Sequence, residues 1–391
     1  MVEVIGEGQL DNFIYNDDDI EIEEVNKEIK KDLIKKEKET INNHTISQLK
    51  MIKLKDVAAK AEVSLATASL ALHNSDFVSK KTRQKVREWA KKLDYHPNIY
   101  AQKLAQQKSY NISILINSDY FFQSPKLYYL RIISGIIRAA RNTEYTISFS
   151  FFSENKKEKN INQISKLNSA SVDGILVLDI ISRDILDLLR NGKNIPIVLI
   201  DNHKNYDDMF GVDNDDFGGA YKAVEYFIKN GHKKIGYIGI PDSHPLGFQC
   251  WNGLKKALSD YNIEECCVYK KCNFDIKSGK KAMSFILNDY NKNNFPTAFF
   301  CLDDYIAIGA IEELKKKGFR VPEDISIIGM DDMELSSEIE PPLSTIRIKM
   351  EDMGVIGVSK LISIINKKYE GDLKTIIQNE LIIRNTCVKI K

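Results

Sequence analysis

The sequence predicts an α/β protein of two doubly wound lobes preceded by a small three-helix module. Beyond position 110, short β-rich runs alternate with amphipathic helical stretches, as in parallel sheets covered by helices. That alternation continues through seven or more β-α units, more than one open sheet of ordinary size holds, so the units divide between two lobes. Ahead of them, residues 54–93 contain three short amphipathic stretches set among lysines and arginines. With 391 residues, 43% of them hydrophobic and 28% charged, the chain has a globular composition and enough length for two or three domains.

Residues 1–50 carry seven lysines against thirteen acids, a net −6. Within them Ile22, Val25, Ile29, Leu33 and Ile34 recur at three- and four-residue spacing between 21 and 40, which predicts a solvated, marginal helix. Met51 opens a segment that reads as a complete domain start, so residues 1–50 are an acidic N-terminal extension, either translated upstream sequence or an appendage.

In residues 54–74, Ala58, Val63, Ala68 and Leu72 place small or branched apolar groups where two short helices cross closely, and Ser64 suits the N-cap of the second. This is a helix-turn-helix pattern. A third helix, capped by Ser79, shows Val86, Trp89, Ala90 and Leu93 on one face, with Lys80, Lys81, Arg83, Lys85 and Arg87 around them. The whole-chain charge of +1 argues against a nucleic-acid binder, but residues 51–110 hold twelve bases against five acids, a net +7. Such a rim suits phosphates; the plainer alternative is a three-helix bundle with solvated lysines.

The body's strands are expected at 112–117, 145–151, 174–178, 197–201, 234–239, 298–301 and 325–329, and its helices at 128–141, 216–230, 248–261, 278–287, 305–317 and 351–368. Gly231 and Gly318 follow lysine-bearing helix ends, where positive φ is wanted. Ligands of such folds bind at the carboxyl ends of the strands, often between lobes. There Asp201, Asp213, Asp303, Asp304, Asp331 and Asp332 suit a polar small-molecule cleft, or act as helix caps, Asp304 above all.

Several classes are excluded. Six cysteines without repeating spacing make no disulfide scaffold, and Cys266, Cys267 and Cys272 lack the histidine or paired knuckle of a metal site. No cofactor is expected. No apolar run approaches a membrane span and the N-terminus shows no secretory signal, so a cytoplasmic protein is expected. Phosphate-loop, zinc-protease, nucleophile-elbow and dinucleotide fingerprints are missing, and the protein is not read as an enzyme.

The runs Val57-Ala58-Ala59-Lys60-Ala61-Glu62-Val63-Ser64, Ala66-Thr67-Ala68-Ser69-Leu70-Ala71-Leu72, Tyr95-His96-Pro97-Asn98 and Ala101-Gln102-Lys103-Leu104 resemble the DNA-binding head and hinge of the lactose-repressor (LacI/GalR) family. Val172-Asp173-Gly174-Ile175, Ile195-Pro196-Ile197-Val198, Asp213-Asn214, Gly231-His232-Lys233-Lys234-Ile235, Pro296-Thr297-Ala298, Val321-Pro322-Glu323-Asp324-Ile325-Ser326 and Gly329-Met330-Asp331-Asp332 follow the family's order in the body. The resemblance covers about 51–386. It implies a head at 51–97, a hinge and linker at 98–109 and a periplasmic-binding-protein-like effector-binding and dimerisation body at 110–391.

By that resemblance the protein is a homodimeric transcriptional regulator, a repressor in most such cases, that binds double-stranded operator DNA and responds to a small effector, a sugar or related metabolite. The second helix enters the major groove with Leu65, Ala66 and Leu70 toward base edges. Apolar groups there pack on thymine methyls, whereas the arginine of many members would read guanine. Ser64, Thr67, Ser69, His73 and Asn74 are candidates for phosphate or base contact, or local caps. Asn98 and Ala101 belong to a hinge that folds on DNA, and Leu104 matches the leucine wedge that kinks the duplex. Glu62 replaces the turn glycine usual in the family. Effector-facing positions fall on Tyr128, Tyr129, His244, Leu246, Cys250, Phe274, Asp303 and Asp331, with Cys250 where an arginine commonly clamps the ligand. The chain stops within five residues of Thr386, leaving no leucine heptad for a tetramer. Two other readings remain: an effector-blind regulator, suggested by Cys250, and a sugar receptor for transport, which would need a signal peptide and no helix-turn-helix.

Overall fold

The computed structural model describes residues 52–390 except 73–74, 96–107, 122–125, 156–163, 165–166, 168–171, 192–193, 205, 264–266, 270 and 290–294. The helix expected at 21–40 and the hinge lie outside them. The described residues fall into two compact units, a head within 52–95 and a body within 108–390.

The described head helices are α1 (Leu54–Ala61), α2 (Leu65–Leu72) and α3 (Lys80–Lys92). Ala58, Ala61, Ala68, Ala71 and Ala90 fill the centre with Val57, Val78 and Val86; small side chains let short helices approach closely. Glu62 ends α1 in the left-handed region, at φ 54° and ψ 45°, its N–H bonded back to Ala59 O. This is where a glycine is preferred, and Lys85 Nζ reaches Glu62 Oε2 at 2.8 Å. Ser64 and Ser79 cap α2 and α3, accepting from Thr67 N at 3.0 Å and Thr82 N at 3.2 Å.

The body holds two six-stranded sheets. Its described elements run β1 (Asn111–Asn117), α4 (Ser118–Phe121), α5 (Lys126–Ala140), β2 (Thr146–Phe152), β3 (Gly174–Leu178), α6 (Arg183–Arg190), β4 (Ile197–Ile200), β5 (Phe210–Asn214), α7 (Asp216–Lys229), β6 (Ile235–Ile238), α8 (Pro245–Asp260), β7 (Cys267–Tyr269), α9 (Ile276–Asp289), β8 (Ala298–Cys301), α10 (Asp304–Lys316), β9 (Ser326–Asp331), α11 (Glu334–Glu338), β10 (Ser344–Arg347), α12 (Met350–Ile365), β11 (Lys374–Ile377) and β12 (Glu380–Ile382). The first sheet orders β11-β5-β4-β3-β1-β2, all parallel; the second orders β12-β10-β9-β8-β6-β7, with only β12 antiparallel.

The chain passes between the lobes after β5, after β10 and after β11. Consequently α12, late in sequence, packs on β3, β4 and β5 of the first lobe and along α5. Its backbone comes so close to α5 that a Cβ on Gly135 would overlap the carbonyl oxygen of Glu351, and one on Gly354 that of Ile132.

The seven expected strands and six expected helices are present with ends shifted by a few residues. Helix α8 starts at Pro245 rather than 248, because proline at the first turn is already shaped for a helix. The sequence pattern does not mark α6, β5, β7, β10, β11, β12 or the short α4 and α11. Most are three- to five-residue edge or crossover segments, whose pairing is set by partners far away in sequence.

Candidate functional site

On α2 the residues expected to meet base edges are those the head core leaves outside: Leu65 and Leu70 are 54% and 42% exposed, and Ala66 is exposed, while Ala68 and Ala71 are buried. Ser64 Oγ and Thr67 Oγ1 lie 2.8 Å apart and together close the cap; Ser69 is half-buried. His73, Asn74, Asn98, Ala101 and Leu104 fall outside the described residues. The basic rim is narrower than its sequence suggests. Arg83 is turned inward to the carbonyls of Ser75, at 2.8 Å, and Val78, at 3.2 Å, and Lys85 is engaged by Glu62. Lys80 and Lys81 remain exposed.

In the body, a cavity of about 60 Å³ lies at the carboxyl ends of the strands of both lobes. Of the eight expected effector positions, seven line it: Tyr128 and Tyr129 on α5, His244 and Leu246 after β6, Phe274 after β7, Asp303 after β8 and Asp331 ending β9. Cys250 does not. It is fully buried one layer back, its Sγ 3.8 Å from Met330 Sδ, and Met330 takes the wall, because a cysteine side chain is too short to pass it. Residues the reading missed complete the lining: Asp179, His203, Asp216, Met330, Met333, Leu302 and Ile348. Asp179 directly follows β3, so the strand-end rule applied elsewhere would have found it. Nothing local in the sequence marks His203.

His203 is the electrostatic centre. Its Nδ1 stands 2.8 Å from Asp216 Oδ2 and its Nε2 3.3 Å from Asp201 Oδ1. Burial by itself would lower its pKa, but Asp201 and Asp216 outweigh that and hold it well above the ordinary value, so the ring is an imidazolium. Burial likewise opposes ionisation of Asp201, yet His203, Tyr128 and Asn214 bring its carboxyl below the usual range. Asp216, though facing His203, is pushed up to about 6 by burial, and its Oδ1 is buried with no hydrogen-bond partner.

Asp179 accepts from the Tyr129 hydroxyl and, at 2.5 Å, from Ile180 N; burial raises it to about 6. Across the cavity Asp303 caps α10 by accepting from Tyr305 N and Ile306 N at 2.7 and 3.1 Å. The cap is therefore Asp303 and not Asp304. Burial raises Asp303 to about 6, and burial together with Asp303 drives Asp331 far higher, so Asp331 keeps its proton and donates to Asp303. His244 is lowered to about 4, mainly by burial and then by His203, and stays neutral.

The remaining strand-end carboxylates stand outside the lining. Asp213 accepts from Asn202 N, Asp304 is held by Met333 N, Ser336 and Thr345, and Asp332 pairs with Arg347 and Arg384, each at 2.6 Å. Left-handed or otherwise positive φ values gather here, at Asp179, Asp201, His203, Asp331 and Asp332, and strain of this kind concentrates at ligand sites. No group among the described residues is arranged to hold a metal ion, and none of the described helices is long and apolar enough to cross a membrane.

A helix-turn-helix head joined to a two-lobed body with a cavity at its strand ends defines a DNA-binding transcriptional regulator, not an enzyme. Residues 53–98 match the bacterial regulatory proteins of the lacI family, and residues 224–387 match the periplasmic binding protein-like domain. The probable HTH-type transcriptional repressor ExuR of Bacillus subtilis (strain 168) is 32% identical over 343 residues, covering 87% of this chain and 99% of that one. The HTH-type transcriptional repressor PurR of Actinobacillus pleuropneumoniae serotype 3 (strain JL03) is 33% identical, covering 86% and 98%. Among solved structures, the Lac repressor dimer bound to operator and the anti-inducer ONPF superposes with a TM-score of 0.73 at 25% identity, covering 87% of this chain and all of that one. A transcriptional regulator CelR–cellobiose complex gives 0.63 at 25% identity, covering 86% and 99%. The chain belongs to the lacI family of bacterial regulatory proteins.

Proposed function

We propose that the chain is a homodimeric repressor whose affinity for near-palindromic operator DNA changes when a small hydroxylated effector, of the carbohydrate class, occupies the body cavity. The observation that carries this is the cavity's position: its wall draws on both lobes at the points where the chain crosses between them, from Asp216 after β5 to Ile348 after β10. A ligand that joins the two walls binds differently to open and closed lobes, and differential binding shifts the equilibrium. The structurally similar regulator CelR, solved as a complex with cellobiose, supports the carbohydrate class.

In this reading residues 51–97 form the head, 98–109 the hinge and 110–391 the effector and dimerisation body. Leu65, Ala66 and Leu70 read base edges, while Ser64, Thr67, Ser69, His73, Asn74, Asn98 and Ala101 position the backbone and Leu104 opens the central step. Tyr128, Tyr129, His244, Leu246, Phe274, Asp303 and Asp331 face the effector, and Cys250 supports the wall through Met330. The deciding experiment selects DNA from a random pool with the full-length protein, then titrates the selected duplex by anisotropy with and without candidate metabolites. Failure to enrich any inverted repeat would remove the DNA-reading role. A protein that enriches one, yet is neither stabilised by any metabolite nor changed in operator affinity, is the effector-blind regulator that the arginine-free wall suggests.

A further inference from the structure

The cavity asks for positive charge. Asp179, Asp201, Asp216, Asp303 and Asp331 converge on it, and no lysine or arginine lines it among the described residues. Its one cation, His203, is already shared between Asp201 and Asp216. The nearby arginines, Arg347 and Arg384, are committed to Asp332. Asp331 keeps its proton and gives it to Asp303, but Asp179, Asp201, Asp216 and Asp303, once ionised, only accept hydrogen bonds, so the wall is nearly all acceptor. Independently of this crowding, Asp216, 4% exposed and part of the cavity wall, keeps Oδ1 without a partner. A neutral polyol would satisfy acceptors while leaving the buried charge uncompensated, and a ligand carboxylate or phosphate would add to it in a poorly screened site. An ammonium group brings three donors and the missing charge, and the rings of Tyr128 and Phe274 offer it faces for cation–π contact.

We propose that the effector carries a protonated amine: a small hydroxylated cation of the amino-sugar type. This rests on the reading of the cavity as the effector site. The test compares glucose, glucosamine and glucuronate, which share a ring and differ in one neutral, cationic or anionic substituent, with putrescine as an amine lacking the ring. Binding to the full-length protein is followed at neutral pH by calorimetry. The amine-bearing probes are expected to bind at least about tenfold more tightly than glucose, glucuronate is expected not to bind, and Asp216→Asn should reduce the amine preference about tenfold. Should Asp216→Asn fail to fold, the wild-type ranking decides alone. Glucose or glucuronate binding as tightly as the amines, or no binding by either amine, overturns the amine proposal. If a neutral or acidic probe binds and shifts operator affinity, the effector site stands and only its charge preference falls; silence toward every metabolite removes both.

Discussion

Glu62 and His203 show how single side chains carry costs that their neighbours offset. Glu62 holds a left-handed turn that costs a non-glycine residue roughly 1 kcal/mol, while its exposed pair with Lys85 returns only a fraction of that. Glu62→Gly should stabilise the head by about 0.5 kcal/mol, read as slower amide exchange of Ala61 and Val63 in the full chain; faster exchange would show that the ion pair outweighs the strain. In the body, Asp179, Asp216 and Asp303 titrate near 6 and Asp304 near 7, all above their unfolded values. At these four carboxyls, which together outweigh His244, lowered to about 4 and acting the other way, the native state binds more protons than the unfolded chain from about pH 4 to 7, so their contribution to stability falls as pH rises through that window. His203, raised above its ordinary value, acts in the same direction: its contribution is complete below its unfolded pKa and is lost as pH climbs through the folded one. Urea midpoints of the ligand-free protein should fall between pH 5 and 8, and a midpoint that rises would contradict the protonated cluster. His203→Gln leaves Asp201 and Asp216 without their cation and should cost about 3 kcal/mol at pH 7, measured by the same denaturation. Leu70→Arg should move the selected half-site toward guanine at one position by about 1–3 kcal/mol, checked by repeating the DNA selection; an unchanged half-site would place Leu70 away from base edges.

Helices α5 and α12 meet through Gly135 and Gly354, which pack against backbone, so there is no flexible side chain to yield. Gly135→Ala is expected to destabilise the body by about 2 kcal/mol, seen in the urea midpoint, and to weaken effector binding because α5 carries Tyr128 and Tyr129. Elements of this kind were legible from the sequence in proportion to their length and periodicity. Helices α7, α9 and α10 announced themselves by apolar spacing, and β3 and β8 by unbroken buried runs between turns. Strands β7, β10, β11 and β12 have three or four residues each, too few for a period to show, and β11 pairs with β5 from far earlier in the chain, so no local pattern betrays them. The same holds in the site. Seven residues of the cavity lining were named by the family resemblance, whereas His203 was invisible because its role comes from Asp216, thirteen positions later, across a crossover.

Over the whole molecule, the proposed linkage has a measurable reciprocal. If the effector changes operator affinity by some factor, saturating operator must change effector affinity by that factor; calorimetry with and without the selected duplex checks it, and unequal factors would point to a second effector site. The sequence by itself determined the helix-turn-helix, the two α/β lobes and the contrast between a −6 extension and a +7 head segment hidden in a total of +1, because these rest on local periodicity, capping residues and counts, and it carried the family through the resemblance of its short motif runs. Only the tertiary structure decided which carboxylates share the cavity, that Asp303 and not Asp304 caps α10, that Arg83 turns inward and that Cys250 stands behind Met330. Those outcomes depend on burial and on distances between groups far apart in the chain, which fix charge states and access that no stretch of sequence contains.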